Sequence, residues 1–165
     1  LHDALPISLM VVKEAFHAIP PPSEKEEMKN YLKELKAQKL DLLNNLSISI
    51  TSIKINEQTD LNKKQLNSCL IDLAKNSLTI LCVLKKTCSE TIMTNNVTLF
   101  EKKNADYGNS FVDFALIGII VRLNDKINRI LNLVGVPASN MLVDEKIEDT
   151  INDLYNYCII GLMYT

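Results

Sequence analysis

With 165 residues, 47% of them hydrophobic, the chain is long enough for one domain with a substantial core. A formal charge of -2 supplies no large positive field, which excludes a long nucleic-acid-tracking surface. No apolar run reaches about 18 residues and no basic signal segment is evident, so the expectation is a cytoplasmic protein with no membrane partner.

The opening Leu1–Ser8 (LHDALPIS) resembles translated adapter sequence. Leu9–Ala18 is short and apolar, and Pro20-Pro21-Pro22 then holds the chain extended. Residues 1–22 therefore read as an extended or artefactual arm, and 23–165 as the folded domain. Ser23 with Glu26 forms a capping box ahead of a helix, Glu24–Asn45, whose Met28, Leu32, Leu35 and Leu42 recur at helical spacing. Its polar face mixes Lys and Glu and reads as a solvated outer surface. Ser47–Ile55 alternates in part and fits an edge strand, a β-branched helix start or a crossover. A lone strand has no partner in a monomer, which favours loop or helix.

Asp60 is placed to cap the next helix, Leu61–Lys86, whose leucines and flanking Cys69, Ile71, Ile80 and Val83 suit burial on two sides. Ser89–Lys103 reads as a further helix. Asn104–Ser110 is the main break in the second half, because Gly108 permits positive φ and the Asn and Asp residues favour turns. A helix follows from Phe111 to Leu133. Its first half is almost wholly apolar, suited to core or subunit contact. Its second half is amphipathic, and Gly135 and Pro137 end it. Val143–Tyr157 reads as the last helix, with an apolar tail, Cys158–Tyr164, docked on the bundle or on another subunit. Five or so helices with hardly any strand predict an all-α, multi-helix bundle. The four cysteines, Cys69, Cys82, Cys88 and Cys158, contain no CxxC pair, and both histidines lie near the start. Zinc spacing is therefore missing, and the thiols read as buried and free in a reducing compartment.

The last helix carries the chemistry. Glu145, Asp149 and Asp153 stand four residues apart on one side, with Asn156 continuing the stripe, while Ile147, Ile151, Leu154 and Cys158 form the apolar side. Stacked like charges cost about 0.2–0.5 kcal/mol per exposed pair, so they make most sense beneath a cation or a basic partner. Brought against Asp125 on the preceding helix, they offer an oxygen-rich site for Mg²⁺ with phosphates completing its shell. Arg122 and Arg129 suit the remaining phosphate oxygens, since a planar guanidinium donates two parallel hydrogen bonds. Lys102 and Lys103 can reach the same anion. Tyr107 can stack on a base or ribose, and Asn109 or Asn156 can read polar edges. The same Arg/Asp pairing across two helices also makes structural salt bridges in many bundles, and Tyr107-Gly108 also makes a plain helix-ending turn.

Three blocks, Lys102–Phe111 (KKNADYGNSF), Arg122–Leu133 (RLNDKINRILNL) and Val143–Tyr157 (VDEKIEDTINDLYNY), resemble the nucleotide modification associated domain type 1, a family of small phage and bacterial proteins. The resemblance covers roughly residues 99–160, with Lys146 standing where the family tends to have Ser. The block order is more remotely similar to phage dATP/dGTP diphosphohydrolases and to MazG-type all-α pyrophosphohydrolases. The resemblance implies an oligomeric, MazG-like bundle using Mg²⁺, in host cytoplasm if phage-encoded. It carries Lys102, Asp106, Tyr107 and Gly108 onto the first block, Asp125, Lys126 and Arg129 onto the second, and Asp149 and Asp153 onto the third. The paired acids of the first MazG motif are not recognisable, so Asp125 and Asp106 would stand in for them. Three functions follow as expectations: an Mg²⁺-dependent pyrophosphohydrolase of deoxynucleoside triphosphates, a non-catalytic binder of a nucleotide or nucleotide-derived defence signal, or a helical interaction module. In the first, Glu145, Asp149 and Asp153 hold metal, Asp125 joins them or orients water, and Arg122, Arg129 and Lys102 take phosphates.

Overall fold

The computed structural model describes residues 9–12, 24–55, 60–107, 111–134 and 147–165. Helices are the only regular structure among them. Residues 9–12 form a helical turn, α1. It is followed by α2 (Glu24–Ile55), α3 (Asp60–Lys85), α4 (Ser89–Tyr107), α5 (Phe111–Leu133) and α6 (Ile147–Leu162).

Four helices close a ring. α2 packs on α3, α3 on α6, α6 on α5, and α5 on α2. Cross-links fix their directions. Tyr31, early in α2, meets Ser77, late in α3, at 3.4 Å between hydroxyls. Asn67, early in α3, donates to Thr165 Oγ1 beyond the end of α6 at 2.8 Å. Lys126 of α5 meets Asp153 of α6, while Ile119 lies against Gly161, so these two also run antiparallel. Neighbours in the ring are therefore antiparallel throughout, and α3 and α5, at opposite corners, point the same way. The chain must return to the starting end between them. α4 makes that return outside the ring, its 19 residues spanning about 28 Å at 1.5 Å per residue.

Each helix buries one stripe because its apolar residues recur every three or four positions. The sets are Tyr31 and Leu35 in α2; Leu66, Leu70, Leu73, Leu78 and Leu81 in α3; Ile92 and Met93 in α4; Leu116, Ile120, Leu123, Ile127 and Ile130 in α5; and Ile151, Leu154, Tyr155 and Cys158 in α6. Full burial of one such aliphatic side chain stabilises by roughly 1.5–3 kcal/mol. Gly161 lets α6 approach closely, for a Cβ there would sit 3.0 Å from Leu70 Cδ1 and 3.4 Å from Ile119 Cγ2. The window Lys64–Lys85 is long and apolar enough by composition to cross a membrane. It is also the helix packed on both α2 and α6, and two-sided burial asks for the same composition.

Several boundaries differ from expectation. Ser47–Ile55 continues α2 as helix, since β-branched residues cost a helix only a few tenths of a kcal/mol each. α4 runs to Tyr107, so Asn104–Tyr107, expected within the break, are helical. Cys69 and Cys158 are buried as expected, but Cys82 is only partly buried and Cys88 is exposed. The tail after Cys158 docks on its own bundle, with Ile159, Ile160 and Leu162 buried. In the apolar start of α5, Leu116, Ile119 and Ile120 enter the core while Val121 is exposed. The Ser23 cap and the stop at Gly135 and Pro137 lie outside the described residues.

Candidate functional site

The outer side of α6 carries a polar stripe. At 100° per residue, Asp149, Asn152, Asp153 and Asn156 share one side, opposite buried Ile151, Leu154 and Cys158. α5 borders this stripe on one flank and α4 on the other.

On the α5 flank, Arg122, Lys126 and Arg129 recur at intervals of four and three, which sets them in one row. Lys126 fixes where that row faces. Its Nζ donates to Asp153 Oδ2 at 2.8 Å, with both side chains partly exposed at 23% and 32%. The antiparallel register then sets Arg129 toward the level of Asp149 and Arg122 toward that of Tyr157. A row of cations thus runs alongside a row of acids and amides, with the Lys126–Asp153 ion pair at its centre.

On the α4 flank, Asn96 and Asn152 exchange two amide hydrogen bonds. Asn96 Nδ2 donates to Asn152 Oδ1 at 3.0 Å, and Asn152 Nδ2 donates back to Asn96 Oδ1 at 2.9 Å. Asn156 Nδ2 donates to the same Asn96 oxygen at 3.3 Å. Farther along, Met93, Val97 and Phe100 of α4 meet Tyr155, Ile159 and Ile160 of α6 and Leu9 of α1 around an apolar cavity of about 20 Å³, room for about one water. α4 therefore runs parallel to α6.

The candidate residues are accordingly spread along the bundle. Asp149 is exposed, one turn before Asp153. Asp125 is exposed too, but stands about 100° round α5 from Lys126, toward solvent. Lys102 is exposed on α4, about 9 Å beyond Asn96 toward the end where α6 finishes, whereas Asp149 lies toward the end where α6 begins. The side chains of Asp106 and Tyr107, and Asn109 and Glu145 altogether, lie outside the described residues. So the structure brings together Lys126 and Asp153, aligns Arg122, Arg129, Asp149 and Asn156 beside them, and separates Lys102 from Asp149. Among the described residues no group of three or more His, Cys, Asp or Glu side chains gathers, whereas Mg²⁺ with a bound phosphate asks for only one or two carboxylates.

Sequence reading missed Asn96 and Asn152. One signal was available: Asn96 is a polar residue in the middle of the apolar set Ile92, Met93, Val97 and Phe100.

The model of the family described as Nucleotide modification associated domain 1 matches residues 103–164. The chain carries this nucleotide modification associated domain. No curated protein and no solved structure matches the chain. The domain takes in the end of α4 and all of α5 and α6, the two helices that share the Lys126–Asp153 seam. Its apolar stripes are closed by α2 and α3, which lie outside the matched span.

Proposed function

We propose that the α5–α6 seam binds a nucleotide or a nucleotide-derived molecule, with its phosphates on the row Arg122, Lys126 and Arg129. The observation that carries this is the Lys126–Asp153 pair. An ammonium held by one carboxylate oxygen, partly open to solvent, can turn to a phosphate oxygen at little cost, because such partly exposed pairs are worth only about 0.2–1 kcal/mol. Flanking arginines add bidentate contacts. Asn156, anchored by Asn96, offers its own amide oxygen to a polar edge of base or sugar. In this reading the three donors of Lys126 bridge the phosphate and Asp153, and binding proceeds without a metal.

Titration calorimetry with a nucleotide panel, with and without EDTA, tests the proposal. Binding is expected to survive EDTA, and Lys126→Ala is expected to weaken it at least about tenfold, or about 1.4 kcal/mol. The melting temperature should move little, since the pair contributes little to folding. Undiminished binding by K126A and R122A variants would remove the reading.

A second reading is favoured by the exposed carboxylate of Asp149 one turn from Asp153. Here Asp149 and Asp153, with Glu145 as the sequence suggests, would hold Mg²⁺, which would supply activation of water for cleavage of a nucleoside triphosphate at the α-phosphorus. The α–β bridge breaks, releasing a monophosphate and pyrophosphate. The donor types fit a hard divalent ion. Incubation with Mg²⁺ and product analysis separates the readings: pyrophosphate formation that disappears in D149N and D153N supports hydrolysis, and intact ligand recovered from a stable complex supports binding alone.

A further inference from the structure

The turn between α3 and α4 carries a cysteine at each end, Cys82 and Cys88. Thr87 N–H donates to Cys82 C=O at 3.1 Å and Lys86 N–H donates to Val83 C=O at 3.3 Å, the paired bonds of a Schellman turn. Lys86 takes the left-handed conformation, φ 50°, that this turn requires. The Thr87–Cys82 bond sets the backbone of Thr87 beside that of Cys82, and Cys88 follows one residue later. Cys88 is exposed and immediately precedes α4, where its carbonyl accepts from Ile92 N–H at 3.4 Å. Its sulfur lies 3.1 Å from Thr91 Oγ1. Cys82 is partly buried on the last turns of α3.

The two thiols are tuned in opposite directions. Hydrogen bonds from the Thr91 side chain and backbone hold Cys88 below the ordinary thiol range. Burial pushes Cys82 up, and the charge of Cys88 adds to this. A low-pKa exposed thiol beside a protonated one is the arrangement of an attacking and a resolving cysteine.

We propose that Cys82 and Cys88 form an oxidisable pair that closes to a disulfide across the α3–α4 turn. With a hydroperoxide as oxidant, the Cys88 thiolate attacks the terminal peroxide oxygen. The O–O bond breaks, the alkoxide leaves and takes a proton, and Cys88 becomes a sulfenic acid. The Cys82 sulfur then attacks the Cys88 sulfur and gives up its proton, the S–O bond breaks, and water leaves. Two thiols lose two electrons and one peroxide is reduced to an alcohol and water. Cys69 and Cys158, both buried, stay reduced and serve as internal controls.

The full chain is treated with hydrogen peroxide, alkylated, denatured without reductant and cut with trypsin, which cleaves after Lys85 and Lys86, between the two cysteines. The expected product is the Cys82 peptide joined to the Cys88 peptide and released by reductant. In C82S, Cys88 should persist as a sulfenic acid trapped by dimedone. In C88S, Cys82 should remain open to alkylation. The proposal is overturned if wild-type Cys88 proceeds to sulfinic acid while Cys82 is still alkylated, or if the joined peptides are two copies of Cys88.

Discussion

Two tyrosine hydroxyls enter the core on different terms. Tyr31 shares a hydrogen bond with fully buried Ser77, whereas the Tyr155 hydroxyl finds no partner among the described residues. A buried hydroxyl without a partner carries a desolvation cost, while breaking a bond leaves the other partner with one. Tyr155→Phe should therefore leave stability unchanged or raise it by up to about 1 kcal/mol. Tyr31→Phe should lower it by about 1 kcal/mol, with Ser77 left in the core. Urea midpoints for the two variants check this, and a larger loss for Y155F than for Y31F would contradict it.

At the scale of elements, α4 is the helix held from one side. It packs against α3 and is tied to α6 through Asn96, whose amide is satisfied by Asn152 and Asn156 at once. Asn96→Ala removes all three bonds and takes a partner from both Asn152 and Asn156, at a cost of about 1–3 kcal/mol. The loss should be visible locally, as faster hydrogen exchange along α4 while α3 and α5 stay protected. Equal acceleration in all helices would mean that α4 is not a separate unit. The close crossing of α6 at Gly161 depends on volume instead. Because Leu70 Cδ1 would lie 3.0 Å from an added Cβ, Gly161→Val should destabilise by roughly 1–3 kcal/mol through overpacking.

For the whole molecule, the core is a reservoir of protons. Burial raises the pKa of Cys158, Tyr31 and Tyr155, so the folded chain keeps protons that the unfolded chain gives up. The unfolded chain binds fewer protons in that window, and stability falls as pH rises. The contribution is complete below the ordinary thiol value of 9.0 and declines from there through the ordinary tyrosine value of 10.0 and beyond. Denaturation midpoints measured from neutral pH into this range should drop steadily. A flat profile would show that these groups are not buried together.

The limits of α5 came from the Gly, Asn and Pro residues around it. The periodicity of apolar residues was enough, by itself, to determine the helix class and the buried side of α6, because these follow from which positions in one helix can leave water together. The polar stripe Asp149–Asp153–Asn156 was legible for the same reason. The partners of that stripe were not. Nothing local distinguishes Lys126 from Arg122 or Arg129, yet the register between α5 and α6 gives Asp153 to Lys126. Likewise, the sequence alone lets Lys102 reach the same anion as the α5 cations. The return of α4 outside the ring nevertheless carries it toward the end of the bundle away from Asp149. Which helices neighbour, in what direction and at what register, depends on how all the apolar stripes close at once, and that is a property of the packed bundle.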